Sequence, residues 1–269
     1  MSDGRFTAPA VRALKGEGKR ITCVTAYDYP SARLVSEAGI ELLLVGDSLG
    51  MVVLGHDSTL PVTLDDMLHH TRAVVRAKPR SLVVADMPFM TYQTGPIDAL
   101  RNAGRLVQEG GADAVKLEGG ARVAEAVRVI VEAGIPVTGH LGLTPQSVLA
   151  MGGFRVQGRG EEAAARLMRE AKLLESCGAF SLALEGIPRA LAKDITAAVT
   201  IPTIGIGAGS DCDGQVLVWH DVLGYGHGRV PKFVRRYADL GSVAADGLAR
   251  FAADVRSGAF PSDDESYGS

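Results

Sequence analysis

The chain has 269 residues, which at roughly 100 to 200 residues per domain allows one large domain or two small ones with a sizeable core. Its 28 Lys and Arg against 31 Asp and Glu leave a net charge of −3 without a run of five like charges, which argues against nucleic acid and anionic membrane as partners. A composition 46% hydrophobic and 22% charged excludes a disordered chain, and 33 glycines without a G-x-y period speak for tight turns, not collagen.

The opening MSDGRFTAPAVRALKGEGKR holds no apolar signal core, and no stretch nears the roughly 20 apolar residues of a membrane span. The expectation is a cytoplasmic protein without membrane contact. Cys23, Cys177 and Cys212, an odd number in no metal-ligand spacing, read as reduced thiols and leave no structural zinc site. Within the opening, residues 7–17 (TAPAVRALKGE) read as a helix able to plug the bottom of a barrel.

Eight short apolar runs then follow in order: ITCVTAY (21–27), ELLLVGD (41–47), SLVVADM (81–87), AVKLEG (114–119), PVTGHL (136–141), SLALEG (181–186), PTIGIGA (202–208) and QVLVWHD (215–221). Helical patterns separate most of them, such as PIDALRNAGRLVQEG with Leu100, Ala103, Leu106 and Val107 on one face, and RVAEAVRVIVEAG ending at Gly134. Strands apolar on both faces and alternating with helices form a parallel sheet, and eight in about 250 residues fit a (β/α)8 TIM barrel with an N-terminal helix, one domain over 1–269, better than an open doubly wound sheet. Only about six residues separate the last two runs, too few for a crossover helix. Either helix seven is missing or QVLVWHDVL is itself helical, so 213–223 reads as strand eight or a short helix. Two stretches stand apart from the repeat. Gly142 to Gly160 is far longer than a usual βα loop and reads as a lid over the barrel mouth or a fixed oligomer contact. The stretch from Phe233 to Phe260 reads as a terminal helix before a frayed tail, 261–269.

What closes the strands carries the chemistry: Asp47, Asp86, Glu118, His140 and Glu185 each follow an apolar run. In a parallel barrel all strand C-termini share one mouth, where barrel enzymes hold their catalytic groups. A lone Asp there serves equally as a helix N-cap. Three carboxylates on neighbouring strands, Asp47, Asp86 and Glu118, would repel one another and need a cation, and an all-oxygen set suits Mg²⁺. Lys116, two residues before Glu118, points to the same side. His140 is either a satisfied structural group or a ligand-binding one. Glu185, before Gly-Ile-Pro, is either a partly desolvated general base or the cap of a helix starting near Pro188. His69 and His70 read as a helix face, and Gly205, Gly207 and Gly209 as a phosphate cradle or as crowded packing.

Taken together, VGDSLGMVVLGHDSTLPVT (45–63), ADMPFM (85–90), VKLEGG (115–120), GHLGLTPQS (139–147), GGFRVQGR (152–159), LEGIP (184–188), IPTIGIGAG (201–209) and DGQVLVWHD (213–221) closely resemble the ketopantoate (3-methyl-2-oxobutanoate) hydroxymethyltransferase family, in order from about residue 20 to 235. The resemblance implies a (β/α)8 barrel, a homo-oligomer and usually a decamer, with one Mg²⁺ per subunit and 5,10-methylenetetrahydrofolate as co-substrate. It implies a one-carbon transferase of pantothenate and coenzyme A biosynthesis that makes ketopantoate from 3-methyl-2-oxobutanoate through a Mg-stabilised enolate. Matched residue by residue, Asp47 and Asp86 would hold the metal and, through it, the substrate, with Glu118 completing the shell partly through water. Ser48 and Lys116 would bind the acid's carboxylate and keto oxygens, His140 would hydrogen-bond it, and Glu185 would take its proton. Two positions depart from the family: Gly186 stands where some members have Cys, and the tail DDESY lacks a common His. A metal-dependent 2-oxo acid lyase or mutase of the phosphoenolpyruvate mutase type is the rival enzyme, since the same site serves it. A barrel that only binds a ligand is the non-catalytic rival.

Overall fold

A computed structural model describes residues 4–226 and 230–268. The chain divides into two compact units, Met1–Val218 and Trp219–Ser269. In the first, eight parallel strands close a barrel in sequence order. They are β1 (Ile21–Thr25), β2 (Leu42–Val45), β3 (Leu82–Asp86), β4 (Ala114–Glu118), β5 (Val137–Gly142), β6 (Ser181–Glu185), β7 (Thr203–Ile206) and β8 (Gly214–Leu217), each inside or within a residue of its predicted run. Closure comes from β8 on β1, with Ile21 paired to Gly214. The fold is the (β/α)8 TIM barrel that the alternation predicts.

The N-terminal helix α1 (Ala8–Gly16) starts at Thr7, whose hydroxyl accepts the Ala10 N–H. Its Ala8 and Val11 join Ile21, Cys23, Leu42, Leu82, Val84 and Ala114 in one cluster, with Phe6 and Leu14 packed against it. These strand residues come from the N-terminal halves of β1 to β4, so α1 plugs the bottom of the barrel. Val11 is fully buried. Truncating it to Ala is expected to cost roughly 2 kcal/mol and to lower the melting midpoint by about 4–8 °C, as measured by circular dichroism. An unchanged midpoint would show that the plug lies outside the cooperative core.

Around the barrel run α2 (Tyr29–Glu37), the short α3 (Leu49–Val52), α4 (Leu64–Arg76), α5 (Pro96–Gln108) and α6 (Ala124–Glu132). After β5 come one 3₁₀ turn (Pro145–Ser147), the short α7 (Val148–Met151), α8 (Glu161–Ser176) and, past β6, α9 (Arg189–Ala198). α5 buries Ala99, Ala103 and Leu106, whereas Leu100 and Val107 are half-buried. The buried face is therefore rotated slightly from the predicted one. Among the described residues no helix lies between β7 and β8. Both readings of residues 213–223 hold in part: Gly214–Leu217 is strand, and Trp219–Leu223 is helix α10.

The second unit holds α10 and α11 (Leu240–Ser257). The terminal helix starts at Leu240 instead of Phe233 because the chain before it spends its hydrogen bonds elsewhere: the Tyr237 N–H donates to Val222 O, and the Ser242 hydroxyl to Asp239 at the helix start. Beyond it, Ser262 forms a capping box over Asp263–Glu265.

Candidate active site

Period-two alternation decides what points into the barrel. Ala114 belongs to the inner cluster, so Lys116 and Glu118 on β4 continue the same inward line, as Asp86 continues that of Leu82 and Val84 on β3. Parallel register then sets neighbours side by side: Asp86 opposite Lys116, Glu118 opposite His140, and Gly142 opposite Glu185. Gly142 must be glycine here, since its φ is +98° and a Cβ would lie 2.2 Å from Glu185 O. Asp47, just past β2, is tied to these residues because its backbone N–H donates to Asp86 Oδ2 at 3.1 Å. That approach also needs Gly46, where a Cβ would sit 2.8 Å from Ser48 Oγ.

None of the strand-end acids caps a helix. Helix α3 begins at Ser48, α5 at Gly95 and α9 at Pro188, all without a side-chain cap bond. Glu185 is thus free of the capping role that the sequence left open. The Ser48 hydroxyl lies 2.9 Å from that of buried Tyr27.

The resulting cluster is short of positive charge. Lys116 Nζ lies 2.9 Å from Asp86 Oδ1, which is buried and accepts no well-aligned hydrogen bond. Burial would lower the Lys116 pKa, but Asp86, Glu118 and Asp47 together hold it above the usual lysine value, so it stays an ammonium. Asp47 is raised to about 7, first by burial and then by the charge of Asp86, against the pull of Lys116 and a hydrogen bond from Gln146. Burial likewise pushes Glu118 well up, with Lys116 opposing.

His140 is buried with its Nδ1 3.3 Å from Lys116 Nζ and 3.5 Å from Glu118 Oε1. Burial, and then Lys116, depresses its pKa, so the ring is neutral at neutral pH. An ammonium can only donate, which leaves Nδ1 as acceptor and puts the ring hydrogen on Nε2. That nitrogen lies 3.2 Å from Glu185 Oε2, off the line of a good hydrogen bond. The Glu185 side chain is 17% exposed where those of Asp86, Glu118 and His140 are 3–4% exposed, so it is the carboxylate with a route to solvent.

Two residues that the sequence reading passed over complete the cluster. Gln146, in the 3₁₀ turn after β5, donates from Nε2 to Asp47 Oδ2 (2.8 Å) and Met87 O (2.9 Å), and from its backbone N–H to Glu118 Oε2 (3.0 Å). Tyr92 donates its hydroxyl to Gln146 Oε1 at 2.5 Å and accepts the Glu118 N–H at 3.2 Å. Gln146 stood within the GHLGLTPQS block. Tyr92 carried no signal except its place after β3.

The long segment is fastened at both ends. Gln146 holds its start, and near its end Gln157 N–H donates to Gly186 O while Gly158 packs on Leu167 and Leu191. Between them Leu149, Phe154 and Val156 are exposed. The other open readings resolve toward packing. Among the described residues no helix N-terminus lies between β7 and β8 to make a phosphate cradle, and Gly205 and Gly209 face Cys212 and Arg189. His69 is exposed, and His70 Nδ1 contacts Tyr27 O at 2.6 Å.

Among the described residues no three His, Cys, Asp or Glu side chains close on a single point as a ready-made metal cage. The donor chemistry nonetheless fits a hard cation. Asp47, Asp86 and Glu118 offer oxygen only, burial disfavours the charges of Asp47 and Glu118, and Lys116, on Asp86 Oδ1, is one cation beside three carboxylates. A Mg²⁺ that keeps waters and takes one or two carboxylates needs no closed cage.

Solved structures with a similar fold include 2,3-dimethylmalate lyase, a member of the phosphoenolpyruvate mutase/isocitrate lyase superfamily (TM-score 0.61, 21% identity, 97% of this chain and 91% of that one). Another is phosphonopyruvate hydrolase in complex with oxalate and Mg²⁺ (TM-score 0.61, 16% identity, 97% and 93%). At such identity the likeness is one of fold. Closer in sequence are proteins named 3-methyl-2-oxobutanoate hydroxymethyltransferase from Moorella thermoacetica, 58% identical over 98% of both chains, and from Pelobacter propionicus, 56% identical over 99% of this chain and all of that one. With residues 5–263 also matching the family model of ketopantoate hydroxymethyltransferase, and with the strand-end acids, Lys116 and His140 gathered at one mouth, this chain belongs to the ketopantoate hydroxymethyltransferase family.

Proposed function

We propose that the protein transfers a hydroxymethyl group from 5,10-methylenetetrahydrofolate to 3-methyl-2-oxobutanoate, and that Asp47, Ser48, Asp86, Lys116, Glu118, His140 and Glu185 carry the reaction. The observation that supports this most is the inward-facing cluster at the strand ends, in which Asp86, Lys116, Glu118, His140 and Glu185 stand on the four adjacent strands β3 to β6, with the Asp47 N–H bonded to Asp86. Asp47 and Asp86 would hold a Mg²⁺, with Glu118 behind them. Bound there, the cation would act as a Lewis acid on the 2-oxo acid and favour loss of the proton next to the keto group, worth several kcal/mol. Lys116 and Ser48 orient the acid's oxygens, and Glu185 Oε2 takes the proton from C3. The C3–carbon bond then forms to the folate methylene, its two carbon–nitrogen bonds break, water supplies the hydroxyl, and the C3 proton and one proton of water end on the two freed folate nitrogens. Holding the two reactants in contact is itself a large part of the acceleration.

The direct test is release of tetrahydrofolate from purified protein given 3-methyl-2-oxobutanoate, 5,10-methylenetetrahydrofolate and Mg²⁺. Turnover that needs all three supports the reading. A 2-oxo acid lyase or mutase would instead consume its acid without folate.

We further propose that the Gly142 to Gly160 segment covers the mouth and shifts when both substrates bind, shielding the reacting carbon from water. Fastened ends and an exposed apolar middle support this. Hydrogen exchange of the segment is expected to slow with both ligands present, whereas strong protection in both states would make it a fixed subunit contact. Self-association, to a decamer as the family resemblance implies, is supported by α11. None of its 18 residues is buried, and Val243, Leu248, Phe251 and Val255 lie exposed on one side. The three cysteines are buried and free, which suits a reducing cytoplasm, and among the described residues no helix is long and apolar enough to cross a membrane.

A further inference from the structure

We propose that Gln146 is a positioning residue that selects which carboxylate oxygens are left to face the cation. The inference rests on the metal reading above but uses only this chain's own hydrogen bonds.

The direction of each bond follows from donors and acceptors. The Glu118 backbone N–H can only donate, and it does so to the Tyr92 hydroxyl at 3.2 Å. The Tyr92 hydrogen is then directed to Gln146 Oε1 at 2.5 Å, where Gln93 Nε2 also donates from 3.3 Å. With its oxygen committed, the amide must turn its NH₂ toward Asp47 Oδ2 and Met87 O, at 2.8 and 2.9 Å. The flipped amide would set an oxygen against those two acceptors and an NH₂ against two donors. All the hydrogen-bonding capacity of the buried side chain is thereby used.

The consequence falls on two carboxylates at once. Asp47 Oδ2 is occupied by the side chain of Gln146, and Glu118 Oε2 by its backbone N–H at 3.0 Å. What remains is one oxygen from each, Asp47 Oδ1 and Glu118 Oε1. A single residue thus orients carboxylates from two strands, and groups that hold metal ligands by hydrogen bonds typically affect metal affinity by about 10- to 100-fold.

The test is Mn²⁺ binding without substrates, by calorimetry and by the electron paramagnetic resonance line shape of the bound ion, in Gln146→Met, Tyr92→Phe and the double variant. Met keeps the volume and removes both polar ends. Expected is roughly 10- to 100-fold weaker Mn²⁺ binding with an altered line shape for Gln146→Met. Tyr92→Phe should show a smaller loss, and the double variant should be no worse than Gln146→Met, since Tyr92 acts through the amide. Folded Gln146→Met with parental affinity and line shape would overturn the proposal. So would fully additive losses in the double variant. If Gln146→Met does not fold, Tyr92→Phe decides alone, weaker binding with an altered line shape supporting the proposal and parental binding overturning it. A parent that binds no Mn²⁺ would instead sink the underlying metal reading, which separates the two failures.

Discussion

Replacing Glu185 by Gln is expected to leave binding of 3-methyl-2-oxobutanoate within a few-fold of the parent while lowering turnover by roughly 10²- to 10⁴-fold, the usual contribution of a placed general base. The amide keeps the shape of the carboxylate but cannot accept the C3 proton. Glu185 is singled out by two observations: it is the most exposed of the carboxylates at the mouth, and the Nε2 of neutral His140 lies 3.2 Å from its Oε2. Deuterium exchange at C3 without folate isolates the proton step. Exchange at the parental rate in Glu185→Gln would move the base to another group, whatever happened to turnover.

The barrel was legible because its signal is repeated. Each strand is apolar on both faces, and eight such runs alternating with helices in about 250 residues fit a closed barrel better than an open doubly wound sheet. Where the repeat breaks, pattern alone could not choose. Residues 214–223 hold a four-residue strand and a five-residue helix one residue apart, too short for either periodicity to win. The terminal helix is shorter than its sequence predicts for a related reason, since FVRRYAD has helical composition but its Tyr237 N–H is spent on Val222 O, a bond between residues fifteen apart.

The site was legible only where chemistry coincides with strand ends. Asp47, Asp86, Glu118, His140 and Glu185 sit where barrel geometry makes a titratable group informative, and Lys116 follows from period two on the same strand. Gln146 and Tyr92 have no such address. Their importance lies in a chain of hydrogen bonds spanning residues 47 to 146, and a neutral amide in a loop gives no sequence signal of what it touches. The choice between cap and catalyst for Glu185 was also closed to sequence, because it depends on where α9 begins.

The cost of gathering these acids should be visible when Asp47 is neutralised. Asp47 is raised to about 7 from an ordinary 3.8, by burial first and Asp86 second. The metal-free folded state therefore holds a proton that the unfolded chain gives up near pH 4. Between those values the unfolded state binds fewer protons, so this residue's contribution to stability falls as pH rises from about 4 to about 7 and stays low above. Asp47→Asn removes that penalty and keeps an oxygen to accept the bond from Gln146 Nε2. In chelator-treated protein the variant is expected to melt above the parent at pH 8, by a gain on the order of 2–4 kcal/mol, or roughly 5–10 °C. The two should converge toward pH 4. Adding Mg²⁺ should reverse the order. The parent gains stability by binding the cation, through mass action on the folded state alone, whereas the variant lacks a charged ligand and gains little. Melting curves of both proteins at pH 4.5, 6 and 8, each with chelator and with excess Mg²⁺, contain the whole test. If Mg²⁺ stabilises Asp47→Asn as much as the parent, Asp47 is not a ligand. If the metal-free variant is no more stable at pH 8, the strain at the mouth lies in another carboxylate, with Glu118, which burial also raises, the next to neutralise.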